Sequence, residues 1–252
     1  MGSALSSIVA EAERLGGLQG KLMLAGITRM TTGQANSVAD TPELIATFTS
    51  ALETLKRTVK AQGGDAKELK PGATVEQLRR HVTGFVDLMT QRSLVLGDVL
   101  ETARRVDELA TETLNVARVS VWTLKADGSS ITCVDLYERE VKKHSSGTEL
   151  FAKDFGPYFV ALGTQRTIAA HQAQTDPNTA CFAASYLKPL GITSMLDVPI
   201  WVAGKMVGVV CHEHIGPSRV WNADEESFAY LMAGFISLAM ERAQLGVSAG
   251  RR

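Results

Sequence analysis

Three histidines are the residues of this sequence best suited to bind a metal. His212 and His214 flank Glu213, so in a β-strand their imidazoles would project from one face, about 7 Å apart. His171 could lie near them, and Zn²⁺ accepts such a trio of imidazoles. No cysteine or carboxylate joins the three at a recognised ligand spacing, and the same residues fit an ordinary strand. We therefore predict no metal site.

The chain contains three cysteines, Cys133, Cys181 and Cys211, and no two of them form a CxxC pair. An odd number of cysteines without that motif is typical of reduced thiols in a cytoplasmic protein. No Ser/His/Asp order, phosphate-binding glycine loop or paired-carboxylate motif stands out elsewhere in the chain. The residue types therefore favour a protein that is not an enzyme.

Asp197 is an acid within an otherwise apolar run, LDVPI. A buried charge without a partner costs several kcal/mol, so this carboxylate needs hydrogen-bond donors. We expect the donors to be backbone N–H groups or a nearby His or Arg.

The composition limits the kinds of partner. The 252 residues are 45% apolar and 21% charged, which is typical of a globular chain with one or two cores. A net charge of -1 and a pI of about 6.5 give no strongly basic surface for nucleic acid. No apolar run reaches the roughly 20 residues that a membrane span requires, and the N-terminus lacks a signal-peptide core. We predict a cytoplasmic protein that binds neither nucleic acid nor membrane.

The stretch 191–214 is predicted to be the central hairpin of the fold. Two apolar, β-branched runs flank Ala203-Gly204-Lys205, which has the composition of a tight turn. Both faces of each run are largely apolar, so both faces of the sheet must be covered. Pro199 cannot donate to a strand ladder and should lie at a bulge or at a non-bonding position.

Helices and shorter strands surround this hairpin. Residues 1–90 show helical periodicity, interrupted by glycine and proline, with His81 expected on the surface. After residue 90 the predicted elements are a helix at 93–117, strands at 118–124 and 131–137, a short helix at 157–162, a short strand at 167–171, a helix at 176–191, the hairpin and a last helix capped by Asn222.

This order of elements, and several segments within it, resembles a known family. The matching segments are RVSVW at 118–122, DP at 176–177, YL at 186–187, LGITSMLDVPI at 190–200, VGVVCHEH at 207–214 and WNADEESF at 221–228. Residues 94–244 or so are similar to a GAF domain of bacterial signalling proteins. The resemblance implies an α+β fold, with an antiparallel sheet, helices on one face and a pocket-forming insert on the other. An all-α N-terminal segment would precede it.

The resemblance also implies a non-catalytic signalling module, a sensor or scaffold that binds a small molecule or a protein partner. GAF domains bind many different small molecules and some bind none, so the resemblance identifies neither ligand nor cofactor. A pocket would lie between the sheet and residues 144–190. The candidate lining residues are Trp122, Tyr137, Phe151, Tyr158, His171, Tyr186, Ser194, Asp197 and His212.

Three ligand-specific alternatives remain within this family. GAF-fold reductases of free methionine sulfoxide use a thiolate and a second, resolving cysteine, roles for which Cys133 and Cys181 are the candidates. Bilin-binding relatives hold their chromophore near the position of Cys181, but with a histidine where this chain has Phe182. A haem-binding or redox sensor is the third alternative. Cyclic-nucleotide binding is less favoured, because no Asn-Lys pair precedes Asp224-Glu225.

The resemblance also implies that the predicted helices at 93–117 and 222–244 lie side by side on one sheet face. Outward apolar residues would then remain uncovered, namely Val95, Leu109, Leu238 and Leu245. We therefore predict a homodimer through these two helices, and a protein partner that receives the signal. The expected domains are a helical segment at 1–90, a GAF domain at 91–245 and a flexible tail at 246–252.

Overall fold

The computed structural model describes residues 80–81, 83–88, 91, 93 and 97–249, in two units that divide between residues 90 and 91. In the first unit the described residues from 80 to 88 are helical. His81 is only 1% exposed, so the prediction of a surface histidine is wrong. Burial lowers the pKa of His81 to about 4, which keeps its imidazole neutral. The predictions for residues 1–79 lie outside the described residues.

The second unit is built on one sheet of seven antiparallel strands, which confirms the predicted α+β fold. In chain order the strands are β1 (Arg118–Leu124), β2 (Ser130–Glu138), β3 (Lys143–Ser145), β4 (Glu149–Phe151), β5 (Ile168–Ala170), β6 (Ile192–Val202) and β7 (Lys205–Ile215). The order across the sheet is β3-β2-β1-β7-β6-β5, and β4 pairs with the other end of β2.

In the described residues three α-helices accompany the sheet: α1 (Val99–Thr113), α2 (Gly156–Thr164) and α3 (Ala223–Ala249). The side chain of Asp98 caps α1 by accepting the N–H of Glu101 at 3.0 Å. Asn222 and Glu225 exchange side-chain-to-backbone hydrogen bonds of 3.0 Å, the capping box predicted for the last helix. Because α3 continues to Ala249, the tail predicted at 246–252 begins too early.

The two faces of the sheet are covered differently. Helix α1 packs on β1 and β2, and α3 packs on β6, on β7 and on α1. The opposite face lies under residues 144–190, called the insert below, which contribute α2, β5 and two short helical turns. These turns are a 3₁₀ turn (Ala180–Phe182) and a π turn (Ala183–Leu187), whereas the sequence pattern predicts one regular helix here. None of the helices in the described residues is long and apolar enough to cross a membrane.

Strands β6 and β7 form the predicted hairpin. Ala203 and Gly204 connect them with φ angles of 50° and 76°, the left-handed backbone of a two-residue hairpin turn. Pro199 pairs with Val209 inside the regular ladder, and the register shift comes one step later, between Ile200 and Trp201. Strand β5 pairs with β6 only as far as Asp197. No strand lies beside Pro199 on that side, so its missing N–H costs no hydrogen bond there.

Candidate functional site

Two acidic side chains lie in the middle of the sheet, on the face under the insert. Asp197 of β6 is 0% exposed and Glu213 of β7 is 3% exposed. Asp197 pairs with Cys211 and Met195 pairs with Glu213, so the two acids are diagonal neighbours on one face. Such neighbours are about 7–8 Å apart. The surrounding core is apolar and includes Tyr158, Leu162, Phe182, Leu187, Ile192 and Met195.

Asp197 is held by a tyrosine of α2. The Tyr158 hydroxyl donates to Asp197 Oδ2 at 2.8 Å and lies 3.4 Å from Cys211 Sγ. The side-chain partner is therefore a tyrosine and not the His or Arg that we expected. Burial raises the pKa of Asp197 to about 8, against the hydrogen bonds from Tyr158 and from the backbone of His212. The carboxyl is consequently protonated at neutral pH.

Glu213 is held by a tyrosine of the π turn. The Tyr186 hydroxyl lies 2.8 Å from one carboxylate oxygen of Glu213 and 3.1 Å from the other. Arg118 Nε lies 3.3 Å from Glu213, and its guanidinium lies 5.6 Å from the centre of the Tyr186 ring. Burial raises the pKa of Glu213, and the cation of Arg118 opposes that shift. Arg118 also faces Glu138 at 4.0 Å.

Burial disfavours the thiolate form of all three cysteines. Cys133 and Cys211 lie on this same face, 4% and 5% exposed. Burial, with the acids nearby, raises the pKa of Cys133 to about 12, and burial also raises the pKa of Cys211. Cys181 is partly buried, and burial raises its pKa too. A cysteine nucleophile needs a thiolate, so none of the three is prepared for attack.

Two of the predicted pocket residues lie on the opposite, helix-covered face. His212 pairs with Val119 and Leu196, whose side chains point towards the helices. The His212 ring lies 2.7 Å from the Leu196 carbonyl, and burial lowers the pKa of this histidine to about 4. Tyr137 pairs with Val119 on the same face and packs on His144, with ring centres 4.7 Å apart. The prediction that these two residues line a pocket under the insert is wrong.

Two others belong to a clamp at the end of the sheet. The Ser194 hydroxyl donates to the His171 carbonyl at 2.7 Å and accepts the Arg219 N–H at 2.9 Å. The Trp221 N–H donates to His171 Nδ1 at 3.2 Å. Ser194 and His171 therefore fix the loop before α3 and do not contact the two acids.

Phe151 is 42% exposed at the rim, and Leu150 packs on the core in its place. Among the predicted residues, Trp122, Tyr158, Tyr186 and Asp197 do lie under the insert. Sequence reasoning missed Arg118 and Glu213. The alternation of β7 could have found Glu213, because it is two residues from Cys211 and shares its face. Among the described residues, no three His, Cys, Asp or Glu side chains form a metal-binding group.

The sequence model of the GAF domain family matches residues 98–240, which is more than half of the chain. The chain belongs to the GAF domain family. The match begins at the N-cap of α1 and ends within α3, so it includes the sheet, the insert and both buried acids. Among curated proteins, none matches this chain.

Solved GAF domains share the fold at low sequence identity. The blue-light absorbing form of the PixJ GAF domain from Thermosynechococcus elongatus is 21% identical, with a TM-score of 0.52, covering 63% of this chain and 94% of its own. The GAF domain of the Acinetobacter phosphoenolpyruvate-protein phosphotransferase is 15% identical, with a TM-score of 0.52. The match covers 68% of this chain and 95% of that domain. Residues 122 to 287 of a methyl-accepting chemotaxis protein are 21% identical, with a TM-score of 0.51. The match covers 61% of this chain and 95% of that structure.

Proposed function

We propose that this chain is a non-catalytic sensor whose GAF domain binds a small molecule under the insert. The observation that carries the proposal is the pair of acid–tyrosine contacts, Asp197 with Tyr158 and Glu213 with Tyr186. Each contact joins the floor of the sheet to a different element of the insert. A ligand that replaced either hydroxyl would therefore change how the insert rests on the sheet.

The fold alone does not need these acids. A buried acid costs desolvation free energy, and an apolar residue of similar volume at such a site is often neutral or stabilising. Polar groups that converge within an apolar core, with shifted pKa values, are typical of binding sites. The π turn that carries Tyr186 is a further feature that is often found at functional sites.

The raised pKa values of the thiols support a sensor rather than the methionine sulfoxide reductase alternative. Cys133 and Cys181, the two candidates for that chemistry, are both shifted away from the thiolate. The structures similar to this chain include photosensor, chemotaxis and phosphotransferase GAF domains, which is consistent with a regulatory role.

The signal would leave through α1 and α3, which pack on each other. Just before α1, Gly97 has a φ of 73°, and a Cβ built there would lie 2.5 Å from the Ala243 backbone nitrogen. Such a close approach couples the start of α1 to the last turns of α3.

We propose that these helices also carry the homodimer and contact a protein partner in the cytoplasm. Leu100 is 43% exposed and Leu109 is partly exposed. Leu238 is buried, so the prediction that it points outward is wrong.

Native mass spectrometry of the chain purified from its own host tests the sensor proposal. We expect a bound small molecule, and we expect Asp197→Asn or Glu213→Gln to lose it while an exposed change, Glu140→Gln, retains it. A chain without any bound molecule, together with unchanged melting across a metabolite library, would overturn the sensor in favour of a scaffold. Turnover of methionine sulfoxide would overturn the non-catalytic role.

A further inference from the structure

Helix α1 carries a buried acid, Asp107, on the side that packs on the sheet. Asp107 is 0% exposed, and among the described residues neither of its carboxyl oxygens has a hydrogen-bond donor. Its neighbour is the carboxyl group of Asp135 on β2, which is 1% exposed. Ionised carboxyl groups only accept hydrogen bonds, so these two can join only when one of them carries a proton. The contact between α1 and β2 therefore requires a proton.

The surroundings of the two acids indicate which of them holds this proton. Asp135 has the partners that a carboxylate needs: His144 Nδ1 lies 2.7 Å from its Oδ2, and Arg104 Nε lies 3.7 Å from its Oδ1. Asp107 has no such partner in the described part of the chain. Burial, with the negative charges of Asp135 and Glu108, raises the pKa of Asp107 well above its ordinary range. The proton therefore belongs to Asp107.

The strands near Asp107 bring other ionisable groups, but these bind elsewhere or are neutral. On β3, the imidazole of His144 is bound between Asp135 and Glu108, with its Nε2 3.3 Å from the Glu108 carboxylate. On β2, burial raises the pKa of the nearby Cys133 thiol, so the thiol is neutral. On β1, the residue paired with Asp135 is the apolar Val121.

The charges that act on Asp107 from α1 and β2 are both negative, those of Glu108 and Asp135. On α3, which packs on α1, the stretch 227–240 contains one ionisable residue, Tyr230. Arg166 lies over the ring of that tyrosine, 4.3 Å from its centre. Without its proton, Asp107 would thus be a buried anion beside two others.

We propose that Asp107 and Asp135 form a proton-dependent latch between α1 and the sheet. With the proton in place, Asp107 donates to Asp135 and α1 packs on β2. Loss of the proton leaves two carboxylates facing each other at low dielectric, where like charges repel strongly, and α1 then loosens. Resting on the role proposed above for α1 in signal output, this latch makes the output respond to pH as well as to a ligand under the insert.

Hydrogen exchange on the full chain without added ligand tests the latch. Protection of the α1 amides, corrected for intrinsic exchange, is compared with that of the β6 amides from about pH 5 upwards, until β6 itself loses protection. We expect α1 to lose protection first, by up to about tenfold per pH unit once Asp107 ionises. The comparison with β6 separates release of α1 from unfolding of the whole domain.

Three variants distinguish a latch from a merely structural contact. Asp107→Asn cannot ionise and keeps a donor towards Asp135, so α1 should stay protected as the pH rises. Asp135→Asn removes the opposing charge and offers ionised Asp107 an amide donor, so α1 should stay protected there too. The matched control, Glu112→Gln, alters an exposed acid of the same helix and should follow the parent chain. A merely structural contact would instead lose protection in both Asp→Asn variants at every pH.

Carbon-13 NMR of chain labelled at the aspartate carboxyl groups detects the proton even if a latch variant fails to fold. Two aspartates, Asp107 and Asp197, should titrate with a raised pKa. In Asp197→Asn, one such resonance should remain, and it should titrate over the pH range in which α1 loosens.

Three outcomes would each overturn the latch: α1 protection that falls no faster than that of β6, an unchanged pH dependence in Asp107→Asn, or no raised aspartate pKa in Asp197→Asn. Because no ligand is added in these measurements, such a failure leaves the sensor function in place. A purified chain that is empty and binds no library compound would remove the sensor function, while the pH response of α1 would stand.

Discussion

Two neighbouring side chains of β7 face opposite sides of the sheet. His212 and Glu213 are adjacent on β7, yet the first faces the helices and the second faces the insert. Burial drives both towards their neutral forms, lowering the pKa of His212 and raising that of Glu213. Only Glu213 has a cation beside it, because Arg118 shares its face. Which polar side chain belongs to the site therefore depends on the face of the strand that it occupies.

Asp197 gives a testable pH dependence. Its folded pKa of about 8 lies above the ordinary value of 3.8, so folding favours the protonated acid. The stability from Asp197 is therefore fully present below about pH 4 and is lost as the pH rises to about 8. The slope is up to about 1.4 kcal/mol per pH unit. We expect Asp197→Asn to gain stability relative to the parent chain across that range, measured by denaturant unfolding at several pH values.

The matched control for this measurement is Asp154→Asn, which alters an exposed carboxyl of the insert. Its difference in unfolding free energy from the parent chain should stay constant across the same pH range. A constant difference for Asp197→Asn as well would show that this carboxyl is ionised in the folded domain.

Strands β1 and β7 lie too close together at Gly208 to admit a side chain. A Cβ placed on Gly208 would lie 2.0 Å from the Trp122 carbonyl oxygen, which belongs to the backbone and cannot rotate away. Gly208 pairs with Thr123 at the end of the β1 ladder, next to the bulge between Val121 and Trp122. Glycine at this position is a packing requirement, since any side chain would push the two strands apart.

We expect Gly208→Ala to lower the free energy of unfolding by about 2 kcal/mol or more, because β1 must move to admit the methyl group. Gly163→Ala is the matched control. A Cβ at Gly163, in helix α2, would meet no atom within 4 Å, so this change should be neutral or stabilising by up to about 1 kcal/mol. Equal melting temperatures for the two variants would contradict the close approach of β1 and β7.

The loop before α3 is tied to α1 by one side chain. Arg219 donates to the Leu114 carbonyl at 2.9 Å and pairs with Glu225, while its guanidinium lies 4.4 Å from the Trp221 ring centre. Since α1 ends at Thr113, this contact holds the C-terminal end of that helix. Both ends of α1 are therefore connected to α3 or to the loop that leads into it.

Arg219→Lys keeps the charge but loses the planar fork that reaches both acceptors. We expect a loss of about 1–2 kcal/mol of stability, and faster hydrogen exchange near Leu114. Arg105→Lys is the control, because Arg105 lies on the exposed side of α1 and its contacts with Glu101 and Glu108 are surface ion pairs. Unchanged exchange near Leu114 in Arg219→Lys would show that the loop is held by other contacts.

Among the described residues, α1 is the more exposed of the two helices on this face of the sheet. Leu100 and Leu109 remain at least partly exposed there, while the described side chains of α3 from 225 to 239 are almost all buried. The proposed homodimer would therefore form mainly through α1. Burying apolar surface in this way lowers the free energy by roughly 25 cal/mol per Å².

Light scattering at micromolar concentration should give twice the 27.1 kDa mass of one chain. Combined Leu100→Glu and Leu109→Glu should shift the mass to the monomer, because charge cannot be buried cheaply at the seam. The control is Val160→Glu, at an apolar residue of α2 that is already 67% exposed. A monomer mass for the unchanged chain would refute the dimer.

The family, the antiparallel sheet and its central hairpin follow from local sequence patterns. Alternating β-branched runs, a tight turn at Ala203-Gly204 and the capping box at Asn222 act over a few residues, so each can be read along the chain. The position of the candidate pocket under the insert was an expectation from the resemblance and not from any local pattern. The irregular insert carries no strong period, and its π turn was not foreseen.

Only the tertiary structure decided which face each strand residue occupies. One step along a strand moves a side chain to the other face, so the prediction of His212 as a site residue is wrong while its neighbour Glu213 lies in the site. The partner of Asp197, Tyr158, lies 39 residues away on another element, and no local pattern connects the two. The burial that raises the pKa of Asp197 comes from that same packing. The site is a product of long-range contacts, whereas the elements that hold it are products of short-range ones.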